Sequence, residues 1–325
     1  MQAVTHPVFG EPTEVLELTE APEPQPGTGE VRVRLLASPI HNHDLWTIRG
    51  KYGFKPELPA RTGTEAVGVI DALGDGVEHL TVGRRVATGG TFGVWSEKFI
   101  ARAAGLIPIP DDLPDEQAAQ LVSMPFSAIS LIDFLDLKPG DWIVQNAANG
   151  AVGRMVAQIG RARGINVVGL VRRSAAVAEL AGQGIDRIVA VDTENWRDDV
   201  AEITGGAPIV AGVDSVGGES SGHVLSLVGE NGTLVIFGAM DAPVMHLASG
   251  DVIFRQVTIK GFWGSKVSTS MDAAKRGELF GELSAHLAAG ILTLPVAATF
   301  PLAQAREAAR ASFTAGRIGK VLLRP

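Results

Sequence analysis

The chain has 325 residues, a formal net charge of −8 and no cysteine. This length suits two domains, and the acidic balance argues against general nucleic-acid binding, which needs basic residues opposite the phosphates. Without cysteine the chain cannot form disulfides, thiolate zinc sites or cysteine nucleophiles, a composition typical of a reducing cytoplasm.

No apolar run approaches the ~20 residues needed to span a bilayer. The first residues, Met1–His6, lack the basic and apolar regions of a secretory signal. We therefore expect a cytoplasmic protein that binds a small-molecule substrate and contacts neither membrane nor nucleic acid.

Up to about residue 115 the chain alternates short apolar runs with turns rich in glycine or proline. This pattern predicts a compact β-rich domain. Residues 20–29, rich in proline, are expected to form a surface connection. The predicted strands include Val31–Leu36, Val67–Ile70, Arg85–Ala87 and Lys98–Ile100.

Residues 116–261 alternate apolar runs with helical patterns, which predicts an α/β domain with a doubly wound parallel sheet. Residues 262–325 are expected to return to the first domain, with helices near Leu279–Ala289 and Ala303–Ala315 and a closing strand, Gly319–Leu323. The predicted sheet strands are Trp142–Val144, Asn166–Val171, Ile188–Val191, Ile209–Val213, Leu234–Phe237 and Val257–Ile259.

The glycine-rich turn after Trp142–Val144 leads into an amphipathic segment, Met155–Ala162. Its motif is A-x-G-x-x-G, in which Ala148 replaces the first glycine of a dinucleotide-binding turn. Small residues there allow the backbone to approach a pyrophosphate, and the first N–H groups of the helix face the phosphates. We therefore predict cofactor contacts at Asn149, Gly150, Ala151, Val152 and Gly153.

Arg172 and Arg173 follow the next predicted strand, where a Rossmann unit places the residue that contacts the adenosine ribose. An acidic side chain there would accept from the ribose hydroxyls of NADH, whereas guanidinium groups match a 2′-phosphate. We therefore favour NADPH, with Ser174 as a further contact. The alternative is that the arginines simply end a strand in solvent.

These features resemble the medium-chain dehydrogenase/reductase superfamily, whose members join a split GroES-like catalytic domain to a Rossmann domain. The resemblance covers essentially the whole chain. Its supporting motifs are Gly63–Gly68, Leu73–Val77, Val82–Val86, Asp214–Gly218 and Gly316–Lys320.

The zinc ligands of the alcohol dehydrogenases in that superfamily are replaced here. His41 stands in place of the first cysteine, Thr64 replaces the histidine of Gly-His-Glu, and Ser123–Phe126 offers no thiolate. His41, His43 and Glu65 would form a different ligand set, but we expect no metal. The run His41–Asp44 is then expected to line the active site with polar groups, or to bond locally within a turn.

Among zinc-free branches the chain is most similar to 2-enoyl thioester reductases, with NADPH:quinone oxidoreductases close behind. Gln145–Asn149 resembles the cofactor loop of the enoyl reductases, and Tyr52 follows a lead-in, Pro39–Asp44, like that before their catalytic tyrosine. The resemblance implies that Tyr52 donates a hydrogen bond to an enolate oxygen; the alternative is that its ring only packs. Met124 departs from the asparagine expected near that site.

Further cofactor contacts are implied by the same resemblance. Trp263 would otherwise be a packing aromatic, and Lys320 would otherwise be solvated. The matching positions are Phe237, Gly238, Ala239, Met240, Phe262, Trp263, Gly264 and Lys320.

Three other functions stay open: reduction of quinones or small enones, NADPH binding without catalysis as in a crystallin-like or regulatory protein, and a zinc-dependent alcohol dehydrogenase. A thioester of coenzyme A would need basic residues for its phosphates, for which Arg49, Lys51, Lys55 and Arg61 are candidates. Gly232–Gly238 carries few polar residues for a sheet edge, and relatives pair their Rossmann sheets. We therefore expect a homodimer.

Overall fold

The computed structural model describes residues 1–314 and 316–325, which form two compact units. Met1–Ser123 and Leu294–Pro325 make the first unit, and Met124–Thr293 the second. The predicted return to the first domain at residue 262 therefore differs from the structure. The following helices stay with the second unit because Phe280 stacks on Phe126 with ring centroids 4.4 Å apart, and Glu282 pairs with Arg163 at 2.7 Å.

The N-terminal segment of the first unit is rich in short strands, as predicted from its turns. A single 3-10 turn, Ala103–Gly105, precedes the last strand of the segment. The elements are β1 (Gln2–His6), α1 (Pro12–Val15), β2 (Glu17–Glu20), β3 (Glu30–Pro39), α2 (Asn42–Ile48), β4 (Ala60–Arg61), β5 (Glu65–Leu73), β6 (Arg85–Gly89), β7 (Lys98–Arg102), β8 (Ile107–Pro108) and α3 (Asp115–Ala118).

The second unit alternates helices and strands around one parallel sheet, which confirms the predicted fold class. The strand order is β11-β10-β9-β12-β13-β14. The elements are α4 (Ser123–Phe134), β9 (Trp142–Gln145), α5 (Ala151–Ala162), β10 (Asn166–Val171), α6 (Ala175–Ala181), β11 (Ile188–Ala190), α7 (Trp196–Thr204), β12 (Ile209–Asp214), α8 (Gly218–Leu227), β13 (Val228–Ile236), α9 (Ser249–Arg255), β14 (Thr258–Gly261), α10 (Gly264–Ser270) and α11 (Ala273–Ala288).

The last segment completes the first unit with β15 (Val296–Pro301), a 3-10 turn (Leu302–Gln304), α12 (Ala305–Ser312) and β16 (Lys320–Arg324). The helix predicted near Ala303–Ala315 has its last residue, Ala315, outside the described residues. The larger sheet has the order β15-β16-β3-β5-β6-β8, with β7 also paired to β3, and a second sheet has the order β2-β1-β4. Leu302, Val321 and Leu323 are buried in one core with Trp95 and Phe99.

The chain path through the parallel sheet creates a switch point between β9 and β12. From β9 the chain adds β10 and β11 on one side, then crosses to build β12, β13 and β14 on the other. Ligands of such sheets bind beyond the carboxyl ends of the strands at this point. The helix that follows β9 ends at Ala162, and Gly164, with φ of +73°, supplies the left-handed residue that returns the chain to β10.

The predicted sheet-edge position of Gly232–Gly238 was wrong. β13 pairs with β12 on one side and β14 on the other, so it is an interior strand. An apolar run with few polar residues is typical of a strand that lies between neighbouring strands and is covered by helices. β14 is the edge strand on this side of the sheet, and all four of its residues are exposed.

None of the helices among residues 1–314 and 316–325 is both long enough and apolar enough to cross a bilayer.

Candidate active site

The predicted dinucleotide loop lies at the switch point, between β9 and α5. Gly150 is the N-cap of α5 with an extended backbone, and its N–H donates to the carbonyl oxygen of Ala147 at 2.8 Å. Asn149 and Gly150 are exposed, whereas Ala151 and Val152 are half-buried. The free N–H groups at the start of this twelve-residue helix therefore face an open surface.

Gly153 fits the loop to the helix. A Cβ atom at this position would lie 2.7 Å from the carbonyl oxygen of Ala147 and 2.9 Å from Cα of Ala148. Any larger residue at position 153 would push α5 away from the turn that precedes it. The close approach of helix and loop is the feature that a pyrophosphate site requires, so these residues fit a dinucleotide.

A buried polar network fixes the two strand ends at the switch point. The Asn146 side chain donates to Oδ1 of Asp214 at 2.5 Å and accepts from the Ser215 N–H at 2.7 Å. Asp214 is fully buried and also accepts from Val216 N–H and from the Ser221 hydroxyl. Asp214, which the sequence marks only as part of a family motif, therefore connects the end of β12 to the cofactor loop.

Arg172, Arg173 and Ser174 are exposed after β10, as a 2′-phosphate site requires. Ser174 is already engaged: its N–H and hydroxyl donate to the Asp192 carboxylate at 3.2 and 2.8 Å. These two donors lower the pKa of Asp192. A negative charge therefore lies beside the expected phosphate position, which leaves the two guanidinium groups as the attractive contacts.

The segment after β13 and the segment after β14 meet through their aromatic rings. Phe237 stacks on Phe262 with centroids 5.6 Å apart, and Phe134 meets Phe262 edge-on at 5.3 Å. Phe262 is thus a packed side chain, whereas Trp263 and Met240 are 53 % and 55 % exposed. The structure brings these predicted cofactor segments together, and it leaves Trp263 and Met240 open to a ligand.

In the first unit, Tyr52 follows α2 and faces two stacked histidines. Its ring centroid lies 5.9 Å from that of His43, and His43 stacks on His41 at 4.9 Å. Tyr52 and His43 are half-buried, whereas His41 is buried. The only tyrosine of the chain therefore lies at the open side of a polar cluster.

Asp44 and Thr64 join that cluster through hydrogen bonds. Thr64 Oγ1 lies 2.7 Å from Oδ1 of Asp44 and 2.7 Å from Nε2 of His43. Oδ2 of Asp44 accepts the N–H of His41 at 2.9 Å and so caps α2. The expected polar lining by His41–Asp44 thus consists of a buried network rather than of separate side chains.

Glu65 is fully buried behind His41. Its Oε2 lies 2.5 Å from Nε2 of His41, and its Oε1 accepts the N–H groups of Val122 and Ser123 at 2.6 and 2.7 Å. Burial raises the pKa of Glu65 to about 7, although the two backbone donors lower it. Burial also holds the pKa of His41 well below 6.5.

Lys320 begins β16 in the first unit, apart in the chain from the other predicted cofactor residues. Its charge lowers the pKa values of both His41 and Glu65. The cofactor contact expected at Lys320 stays a prediction.

The three possible zinc ligands, His41, His43 and Glu65, do not fit a catalytic zinc, which needs three protein ligands and an open position. Among the described residues, no group of three or more His, Asp or Glu side chains is placed to hold a metal ion. His41 and Glu65 already bond to each other, and Oε1 of Glu65 is taken by two N–H donors. Nε2 of His43 is bonded to Thr64, so the three side chains are engaged with protein partners rather than arranged around a metal position.

Comparison with known proteins extends this description. The model of the alcohol dehydrogenase GroES-like domain matches residues 27–111, and that of the zinc-binding dehydrogenases matches residues 151–276. The human mitochondrial enoyl-[acyl-carrier-protein] reductase is 31% identical over 324 residues, covering 96% of this chain and 85% of its own.

Solved structures match over the full length. A quinone oxidoreductase of Pseudomonas syringae has a TM-score of 0.88 and 29% identity, covering 100% of this chain and 99% of its own. The quinone oxidoreductase of Escherichia coli, solved in complex with NADPH, has a TM-score of 0.89 and 25% identity, with 100% of both chains covered.

Proposed function

Because the chain belongs to the medium-chain dehydrogenase/reductase superfamily, in its zinc-free branch, we propose that it reduces the C=C bond of a 2-enoyl thioester or related α,β-unsaturated carbonyl with NADPH. The observation that carries the proposal is the loop at the switch point, where Gly153 lets α5 pack onto the turn that would hold the pyrophosphate. The enoyl reductase relative, similar over almost the whole chain, supports the choice of acceptor.

In this reaction NADPH supplies the hydride that adds to the β-carbon of the acceptor. The N–H groups of Asn149–Val152 would hold the pyrophosphate, and Arg172 and Arg173 would hold the 2′-phosphate. Hydride addition moves negative charge onto the thioester oxygen. The neutral phenol of Tyr52 would donate a hydrogen bond to that oxygen or protonate the α-carbon.

Quinone reduction is the second candidate, because the solved quinone oxidoreductases match the full chain. The test is NADPH oxidation by the purified protein, with crotonyl-CoA and 1,4-naphthoquinone as parallel acceptors and NADH as the control donor. Turnover of the thioester is the expected result. Turnover of the quinone alone would overturn the enoyl proposal, and tight NADPH binding without any turnover would indicate a non-catalytic protein.

The candidate contacts for coenzyme A phosphates separate into two kinds. Arg49 forms an ion pair with Glu11 at 2.7 Å, so its charge is already balanced. Lys51 and Lys55 are exposed, and Arg61 is half-buried. We therefore keep Lys51, Lys55 and Arg61 as the contacts for a thioester carrier.

Arg172→Ala is expected to weaken NADPH binding roughly 10- to 100-fold, the loss of one hydrogen bond to a charged group. NADH lacks the 2′-phosphate, so its dissociation constant should change by no more than about twofold. Isothermal titration with both coenzymes measures the difference. Arg161→Ala, an exposed arginine in the last turn of α5, is the matched control; equal losses for the two coenzymes would remove Arg172 from the phosphate site.

We also propose a homodimer that forms through the exposed edge of β14. The supporting observation is that α9 and the loop before it, the segment that leads into β14, carry exposed apolar side chains. Phe254 is 81 %, Val244 63 % and Ile253 57 % exposed. Exposed apolar side chains and exposed strand edges are both typical of contact surfaces.

Light scattering after size-exclusion chromatography should give twice the 34.0 kDa of one chain. Phe254→Glu should shift the mass towards one chain, because a carboxylate would be buried in the contact. Val82→Glu, at an exposed apolar residue of the first unit, should leave the mass unchanged. A wild-type mass of one chain would contradict the dimer.

Finally, we propose the cytoplasm as the location, which the absence of cysteine supports. The human relative is described as mitochondrial, and fractionation of the source cells would distinguish the compartments.

A further inference from the structure

Asp44, Thr64 and His43 form a continuous hydrogen-bonded chain that starts at a buried carboxylate and ends at a half-buried ring. The side chain of Asp44 is 1% exposed and that of His43 is 25% exposed. Thr64 connects them with two contacts of 2.7 Å. The three residues come from α2 and from the turn before β5, so the fold brings them together.

The hydrogen bonds that join Asp44, Thr64 and His43 can run in only one direction. The Thr64 hydroxyl donates its single proton to Oδ1 of Asp44 and cannot donate it to His43 as well. The Thr64 oxygen must then accept from His43, and Nε2 of His43 carries the proton of the neutral ring. Nδ1 of His43 is therefore the lone-pair nitrogen.

His43 lies between the buried groups and Tyr52. One face of its ring stacks on His41, and the ring of Tyr52 lies 5.9 Å away. The two rings are therefore adjacent, and a hydrogen bond between them, directly or through one water, requires the tyrosine side chain to turn. The titratable groups around His43 are His41, Asp44, Tyr52 and Glu65, and Lys320 acts on His41 and Glu65.

We propose that His43 returns a proton to Tyr52 in each turnover, and that Thr64 and Asp44 hold it in the tautomer that this requires. The inference rests on the proposed function. His43 acts through Tyr52, so it is a positioning residue rather than a catalytic one.

The proton balance of one turnover closes with solvent as the source. The α-carbon of the enolate takes the phenolic proton, so a C–H bond forms, the O–H bond breaks and Tyr52 is left as a phenolate. A solvent proton binds Nδ1 of His43, and the resulting imidazolium is stabilised by Asp44 through Thr64. Transfer of that Nδ1 proton to the phenolate restores both side chains and consumes one solvent proton.

Thr64→Val tests the link because it keeps the shape of the side chain and removes its hydroxyl. Thr62→Val is the matched control, since the Thr62 hydroxyl donates to the Val4 carbonyl oxygen at 3.0 Å and does not belong to the chain of hydrogen bonds. The first readout is ¹⁵N NMR of the histidine rings. His43 should be protonated at Nε2 in the wild type and in Thr62→Val, and should lose this preference in Thr64→Val.

The second readout is kcat with crotonyl-CoA. Thr64→Val should lower kcat, because His43 is no longer held in the required tautomer, whereas Thr62→Val should leave kcat unchanged. His43→Gln should lower kcat about 10- to 100-fold, with the dissociation constant of NADPH unchanged.

A wild-type kcat in both Thr64→Val and His43→Gln would overturn the role of His43 and leave the proposed function intact. A His43 ring protonated at Nδ1 in the wild type would overturn the hydrogen-bond direction. Failure of the wild type to reduce any enoyl thioester would remove the proposed function, and this role with it.

Discussion

Tyr52→Phe is expected to lower kcat for a 2-enoyl thioester about 10²- to 10³-fold, the usual cost of removing one donor to a developing oxyanion. The ring and its contact with His43 at 5.9 Å are kept, so only the hydroxyl is lost. The phenylalanine can neither stabilise the charge on the thioester oxygen nor supply a proton. Steady-state kinetics with crotonyl-CoA measure the effect.

Coenzyme binding serves as the control for this variant. The Tyr52 hydroxyl is proposed to contact the thioester oxygen and not the coenzyme. The dissociation constant of NADPH should therefore change by no more than about twofold. A wild-type kcat in Tyr52→Phe would show that the tyrosine only packs.

Glu65→Gln is expected to make the protein sensitive to mild acid. In the wild type the two buried partners have opposite effects on stability. The folded-state pKa of Glu65 is raised from 4.5 to about 7, so its stabilising contribution is present below pH 4.5 and is lost as pH rises through about 7. The folded-state pKa of His41 is lowered from 6.5, so its contribution is present above pH 6.5 and is lost as pH falls.

As pH falls from 6.5 towards 4.5 these effects oppose each other, because folding adds a proton to Glu65 and removes one from His41. In Glu65→Gln only the effect of His41 remains, and the unfolded chain binds up to one proton more than the folded one. Relative to the wild type, the free energy of unfolding should then fall as pH drops below 6.5, by at most about 1.4 kcal/mol per pH unit.

Urea unfolding of both proteins across this pH range measures the difference. The glutamine can still accept the N–H groups of Val122 and Ser123 through its amide oxygen, so the variant should fold at neutral pH. Glu57→Gln, at an exposed glutamate of the first unit, is the control and should follow the wild type. Parallel curves for Glu65→Gln and the wild type would refute the balance between the two buried groups.

Features set by neighbouring residues were predictable from the sequence. The turn from β9 into α5 and the whole of β10 were located correctly because small residues, apolar runs and helix periodicity are local signals. The position of Arg172 and Arg173 after β10 follows from the same unit.

Features set by distant residues were not predictable in the same way. β13 was placed at a sheet edge because its apolar run does not reveal whether β14 covers it. The helices after residue 261 were given to the first unit because nothing local shows that Phe280 stacks on Phe126. The hydrogen bonds that link Asp44 to His43 through Thr64 were missed, because Thr64 lies about twenty residues later in the sequence.

The split composition of the first unit has a consequence for protein synthesis. β16 pairs with both β15 and β3, yet it is synthesised after the whole of the second unit. While the second unit folds from its own continuous segment, the nascent first unit lacks Leu302, Val321 and Leu323 in its core. The edge of β3 that β16 later covers stays open during this time, and an open strand edge can pair wrongly with other chains. Synthesis of β16 is thus the event that closes the sheet.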